Sequence, residues 1–394
     1  MREEQGVACL EPAQFPGGYG SPSGDGAIVI NGRFLGQNLT GVQRYAGQML
    51  RALDARLAAD PTPRFASVEL HMPHDCSPPP DLRVIRPVRV GRRGGHLWEQ
   101  LELSRSTRGA LLVNLTNSAP LFHPRQIVTI HDAVIGVFPG NYRFAYRAWY
   151  RLLYAGLRLG PATFVTVSRF SAGEIERYFG IGRDRLRVIP NACDHLNELP
   201  ADHEALRRWG LDRGGYILAV GGGSWLKNVE SVEAALDLMA PPRPRLVVVG
   251  RREAHVFSRK GGTEGEGAAL HLGTVTDEAM KALYERALCL VFPSFYEGFG
   301  LPPLEAMGNG CPVIVSDAAS LPEVCGDAAL YCDPASPASI ARHVDSLRDG
   351  GPALRGRLIG LGFDRAANYG WTKSVSMLLE LIEEQLGRKP ASSR

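Results

Sequence analysis

Residues 292–310 read FPSFYEGFGLPPLEAMGNG. The apolar run Cys289–Phe292 leads into them as a short buried strand. A glycine-bearing loop follows, and Pro302 stands where a helix favours proline, in its first turn. Gly298 and Gly300 let backbone N–H groups come close to a ligand, and so do the flanking amides of Phe299 and Leu301. The helix start adds a partial positive charge, which suits a pyrophosphate. Glu297 lies on the loop and Glu305 inside the helix, with seven residues between them. Carboxylates accept from hydroxyls, so the pair can hold a sugar and a ribose.

The same alternation of strand and helix extends outward in both directions, which predicts parallel sheets covered on both faces. Strands are expected at Tyr216–Val220, Arg245–Val249, Cys289–Phe292 and Pro312–Val315. In the first half they are expected at Ala27–Asn31, Val68–Met72, Leu111–Leu115, Gln126–His131, Thr163–Val167 and Leu186–Pro190. Val42, Tyr45, Ala46, Met49, Leu50, Leu53 and Leu57 recur at helical spacing. Ser171 and Glu174 read as a capping box. The polar stretch Asp194–Arg213 reads as a connector. The expected plan is α/β, with two Rossmann-like doubly wound domains facing each other. Residues 1–25 form a disordered leader, 26–195 a first domain and 196–371 a second. Residues 372–388 form a last helix. Ligands of such sheets bind outside the strand carboxyl ends, so the site is expected in the cleft.

Composition narrows the classes. The 394 residues carry a net charge of +3, too small to imply a nucleic-acid partner. No run of about 18 apolar residues predicts a membrane span. The Gly/Pro/Ser-rich start lacks the apolar core of a signal peptide. Seven cysteines are scattered without a C-x-x-C pair, which argues against disulfides and zinc and fits a cytoplasmic compartment.

Three further stretches carry chemistry. Residues 216–228 read YILAVGGGSWLKN. Gly222 and Gly223 can cradle phosphates, Lys227 can neutralise one, and Asn228 opens the next helix. The Gly-Lys-Ser/Thr ending of a Walker loop is missing. His131 and Asp132 end a strand, where cleft residues belong, and Asn114, Thr116 and Asn117 end the preceding one. In the turn after the first strand, Gly41 permits close approach. Arg44 beside it either faces the phosphates or is a solvated helix residue. No D-x-D pair, no metal-ligand spacing and no G-x-S-x-G elbow is present, so neither metal nor cofactor is expected.

These stretches together resemble a retaining GT-B glycosyltransferase of family 4, from about Ala27 to Leu386. The carriers are Gly41-Val-Gln-Arg-Tyr45, His131-Asp132, Val167-Ser-Arg-Phe-Ser171, Val188-Ile-Pro-Asn191, the Gly221–Asn228 loop and the Glu297–Glu305 string. The resemblance implies that Glu305 holds the donor ribose and that Glu297, with the amides of Gly298 to Gly300, addresses the donor sugar. Lys227 would bind the diphosphate and His131 the sugar. The stretch around Val275 would meet the base through backbone, and the last helix would cross back onto the first domain. It also implies transfer from a nucleotide diphosphate sugar with retention, the departing phosphate taking the acceptor's proton. One departure stands out: the phosphate loop has no arginine beside Lys227, leaving Arg44, Arg251 or Arg252 to replace it. The turn and strand-end forms are most similar to bacterial mannosyl- and rhamnosyltransferases of surface polysaccharides, which points to GDP-mannose. UDP-hexose or dTDP-rhamnose is the alternative within the class. A nucleotide-sugar epimerase and a non-catalytic nucleotide-sugar binder are the alternatives outside it.

One segment points to a surface. Arg143, Arg147, Arg151 and Arg158 recur near helical spacing beside Tyr146, Trp149, Tyr150, Leu153 and Tyr154. Such a helix suits the anionic inner face of a plasma membrane and a glycan or lipid-linked acceptor; the alternative is a core stripe with a solvated face. Arg86, Arg89, Arg92 and Arg93 add to the basic surface.

Overall fold

The computed structural model describes residues 26–60, 64–79, 81–221, 223–250 and 269–387. The expected leader at 1–25, Gly222, Arg251, Arg252 and residue 388 lie outside the described residues.

Two wholly parallel sheets form. The first has seven strands: β1 (Ala27–Asn31), β2 (Ser67–Met72), β3 (Arg86–Arg89), β4 (Leu111–Asn114), β5 (Gln126–Thr129), β6 (Thr163–Thr166) and β7 (Leu186–Val188), in the order β3-β2-β1-β4-β5-β6-β7. The second has six: β8 (Ile217–Val220), β9 (Leu246–Val249), β10 (Leu270–Gly273), β11 (Cys289–Phe292), β12 (Val313–Ser316) and β13 (Ala329–Cys332), in the order β10-β9-β8-β11-β12-β13. The central strands β1, β4, β5, β9, β11 and β12 are buried at every residue, as continuous apolar runs covered by helices on both faces should be. In each sheet the strand order reverses direction at the middle, between β1 and β4 and between β8 and β11, and binding crevices of doubly wound sheets form at such points.

The helix Gly41–Ala58 buries Tyr45, Ala46, Met49, Leu50 and Leu53 at the expected spacing. The last helix, Trp371–Gln385, packs against it, and Ser374 donates to the carbonyl of Pro190 at 2.7 Å. Two expectations are corrected. The helix Arg169–Phe179 is capped by Ser168, whose hydroxyl accepts from the Ser171 N–H at 3.0 Å, so Ser171 lies inside the helix and makes no box with Glu174. The aromatic stripe of helix Phe144–Leu159 is divided. Tyr150, Leu153 and Tyr154 are core, while Phe144, Tyr146, Leu152 and Leu159 are exposed. Among the described residues no helix is long and apolar enough to cross a membrane. The six described cysteines are all buried free thiols.

Candidate active site

The carboxyl ends of the two sheets meet. Gly300 adopts φ +96°, a conformation open to glycine, and starts the helix Leu301–Gly308 with no side-chain cap. The glycine at 298 has a different cause from the one its sequence implied. A Cβ there would stand 2.5 Å from the His131 carbonyl, so it is the first domain's approach that forbids a side chain. Ser168 donates to the Gly298 carbonyl at 2.6 Å, and Ser171 bridges that oxygen and the His131 carbonyl at 2.9 and 3.0 Å. Glu323 accepts from the N–H groups of Arg169 and Phe170, both at 2.9 Å, so a second-domain carboxylate caps a first-domain helix.

Lys227, Glu297 and Asp132 form one group of charges at this junction. Gly221 at φ +114° leaves room for the Lys227 stem, and a Cβ there would meet Lys227 Cγ at 2.6 Å. The ammonium donates to Glu297 Oε1 at 2.6 Å and stands 5.1 Å from the Phe292 ring centroid. Burial, then the field of Glu297, raises the pKa of Asp132, and Lys227 pulls the other way. His131 is buried and its Nε2 is 3.1 Å from the Leu115 carbonyl, so that nitrogen carries the proton. Burial pushes its pKa down to about 4, and the ring is neutral at physiological pH. Asn117 accepts from the His131 N–H at 2.7 Å and so positions the strand end.

Glu305 is the centre of a second group. Its Oε2 accepts from the Tyr284 hydroxyl at 3.1 Å, and its Oε1 is 3.2 Å from His195 Nε2. That contact is off the line of a hydrogen bond, and Nε2 finds no other partner among the described residues. Trp371 Nε1 donates to His195 Nδ1 at 3.3 Å, which places the imidazole proton on Nε2, facing the carboxylate. Arg44 makes a two-pronged pair with Asp277 at 2.8 and 2.7 Å, joining the two domains. Burial works against its charge, but Asp277 and the field of Glu305 outweigh burial and raise its pKa. The guanidinium therefore belongs to the Glu305 group, bound by a carboxylate.

Not every expected residue lines the cleft. Asn228 adopts φ 54° and spends its amide on the carbonyls of Pro293 and Pro334 at 3.1 and 2.7 Å, holding the phosphate loop to its neighbours. Asn114 is fully buried, bonded to Asn31, Gln126 and the Ile127 carbonyl. Phe299 packs its ring 5.7 Å from Tyr369. Gly223 and Val275 lie in the turns after β8 and β10, and Gly41 and Leu301 are the first residues of their helices. Sequence reading missed Tyr284, His195, Asp277 and Glu323. Tyr284 is indistinguishable from a core tyrosine at helical spacing, and His195 lies in a connector without a motif. Among the described residues no three His, Cys, Asp or Glu side chains converge to hold a metal.

Residues 39–195 match the family described as Glycosyltransferase Family 4, and residues 205–359 the family described as Glycosyl transferases group 1. An O-antigen chain mannosyltransferase B of Escherichia coli is 36% identical over 268 residues, 65% of this chain and 69% of that protein. An O-antigen chain mannosyltransferase of Salmonella typhimurium is 25% identical over 78% of this chain and 87% of its own. The sucrose-phosphate synthase of Thermosynechococcus elongatus superposes with a TM-score of 0.68 at 18% identity, covering 92% of this chain and 99% of that one. Two parallel sheets meeting at their carboxyl ends, a glycine loop opening an uncapped helix, and these relatives lead to one conclusion: the chain belongs to the family 4, group 1 glycosyltransferases of GT-B fold.

Proposed function

We propose that the chain transfers a hexose, with mannose from GDP-mannose as the preferred donor, to a glycan or lipid-linked acceptor in surface polysaccharide synthesis. The transfer retains anomeric configuration and needs no metal. One observation carries the reading. Along the chain the uncapped start of helix Leu301–Gly308 falls between Glu297, which holds Lys227, and Glu305, which accepts from Tyr284. A nucleoside diphosphate sugar has its charge in the middle and hydroxyl-bearing rings on either side, and this order of groups matches it. Negative charge grows on the diphosphate as the sugar leaves. Lys227 and the helix amides stabilise it where a divalent ion does in other transferases. In this reading Glu305 holds the ribose, Glu297 the donor sugar, and the departing phosphate takes the acceptor's proton. The names of the two mannosyltransferase relatives support mannose and an O-antigen-like product.

Incubation with GDP-mannose and a mannoside acceptor, with the product examined by NMR, tests this. An α-linked product that forms equally in chelator is expected. A β-linked product, or activity lost in chelator and restored by magnesium, overturns the retention or the metal claim respectively. Epimerised donor without acceptor would favour the epimerase alternative.

We also propose a peripheral contact with an anionic membrane through helix Phe144–Leu159. Phe144 is 77% and Leu152 60% exposed, with Arg143, Arg151 and Arg158 exposed on the same helix. Leu97, Leu101 and Phe122 are further exposed apolar side chains of the first domain.

A further inference from the structure

Nine buried side-chain nitrogen or oxygen atoms among the described residues have no hydrogen-bond partner, and three of them surround one histidine. They are Arg33 Nε, Glu99 Oε2 and Trp149 Nε1. His96 Nδ1 stands 3.5 Å from Arg33 Nη1 and 3.4 Å from Glu99 Oε2, and the His96 ring is 5.0 Å from that of Trp149. Arg33 Nε is 3.3 Å from Glu99 Oε1 but off the line of a hydrogen bond. Buried polar atoms are nearly always paired, so three orphans in one place mark a spot built for hydroxyl groups that come from elsewhere.

The surroundings keep the Glu99 carboxylate charged and in place. Burial works against the Glu99 carboxylate, yet His96, Arg33, Asn31 and Ser118 together hold its pKa below the usual carboxylate value. Asn31 ends β1 and donates to Glu99 Oε1 at 2.8 Å, and Ser118 does so at 2.9 Å. The cluster is therefore fixed to the carboxyl edge of the first sheet, the edge that faces the donor loop. Glu99 lies in a π-helical turn, Trp98–Leu103, a distortion frequent at functional sites.

A row of rings joins this cluster to the proposed donor-sugar end. Asp132 is close enough to raise the pKa of Tyr142, after burial. Tyr142 stacks on Tyr146 at 5.6 Å, Tyr146 is 4.8 Å from Tyr150, and Tyr150 is 6.3 Å from His96. A pyranose presents hydroxyls at its rim and C–H groups on its face, the first for arginine and carboxylate, the second for aromatic rings. The geometry points to an acceptor-sugar subsite at Arg33, His96, Glu99 and Trp149, reached along Tyr142 and Tyr146. It binds the hydroxyl-rich end of the acceptor glycan. The assignment deepens the transferase reading and rests on it.

The test uses octyl α-mannoside, octyl α-glucoside and octyl N-acetylglucosaminide as acceptor probes, each with GDP-mannose. The full chain is compared with His96→Ala and Trp149→Phe, the second keeping the ring and losing the indole N–H. Acceptor KM is expected to rise severalfold to about tenfold in both for the glycoside used best, as loss of a hydrogen bond would cause. Donor KM and nucleotide affinity should stay unchanged. Acceptor KM equal to the parent's in both variants shows an internal polar cluster filled by water and overturns the subsite. Failure of the parent to bind any nucleotide diphosphate overturns the transferase reading and the subsite with it. Unchanged acceptor KM with intact nucleotide binding overturns the subsite alone.

Discussion

Lys227 is held by Glu297 at 2.6 Å, so in the proposed function a diphosphate draws the ammonium from a carboxylate already in place. This gives the two glutamates opposite signatures. Glu297→Gln removes a negative charge beside the phosphates and should tighten nucleotide diphosphate binding severalfold. It should also lower kcat, because the proposed function puts this carboxylate at the reacting sugar. Glu305→Gln should chiefly raise donor KM, since ribose is held alike in ground and transition states. Steady-state kinetics with nucleotide titrations check both, and reversed signatures would exchange the two roles. His131 makes a separate prediction. Its pKa is about 4 in the fold against 6.5 unfolded, so between those values the unfolded chain binds the extra proton. Stability therefore rises with pH across this window and falls as pH drops from 6.5 toward 4, by about 3 kcal/mol at most from this residue. Thermal melts of the parent and His131→Asn over pH 7 to 4 should show a shallower acid loss in the variant. At this scale the sequence singled out Lys227, Glu297 and Glu305 as candidates, because glycines stand before or beside them. It did not disclose His195 or Tyr284, whose partner Glu305 lies 110 and 21 positions away and is brought close only by folding.

At the scale of elements, the strands that sequence reading missed are β3, β10 and β13. All three lie at sheet edges. An edge strand is covered on fewer sides and needs no continuous apolar run. β3 reads Arg-Pro-Val-Arg with both arginines exposed, and no residue of β10 is fully buried. The central strands were legible because burial on both faces forces an unbroken apolar sequence. Ser168 and Ser171 show the same limit in a helix. The sequence offered Ser171 with Glu174 as the capping signal and passed over Ser168, and only the second domain's Gly298 explains why both serines are needed. The junction yields a prediction. Gly298→Ala would place a methyl 2.5 Å from the His131 carbonyl, both groups being anchored by backbone. The domains should separate there, seen as a larger radius of gyration by solution scattering and a lower kcat, with each domain still folded. An unchanged radius and kcat would mean that the contact is not maintained in solution. Glu323→Ala removes one of the two side-chain caps of helix Arg169–Phe179, leaving Ser168, and should cost about 1 kcal/mol of stability.

At the scale of the molecule, the two domains touch through Arg44–Asp277, the serine–Gly298 contacts, Glu323 on its helix, and the Ala133 N–H on the Tyr296 hydroxyl at 3.3 Å. The alternation of strand and helix made this two-sheet plan readable, whereas the pairings across the cleft were not, because they join residues more than a hundred positions apart. The proposed membrane contact belongs to this scale too. Each basic group near an anionic bilayer contributes about 1 kcal/mol. The triple change of Arg143, Arg147 and Arg151 to Glu should therefore abolish binding to anionic vesicles at low salt, with circular dichroism unchanged. A parent chain that binds no vesicles would make a soluble acceptor the better reading. The central claim is that a nucleoside diphosphate sugar lies between Lys227 and Glu305. Calorimetric titration of GDP, UDP, ADP and dTDP into the parent and Lys227→Ala tests it most directly. The account predicts saturable binding of one nucleotide, GDP first, weakened roughly tenfold to a hundredfold in the variant, as loss of a charge-assisted hydrogen bond requires. Equal affinity in the two proteins, or no binding of any of the four, would contradict it.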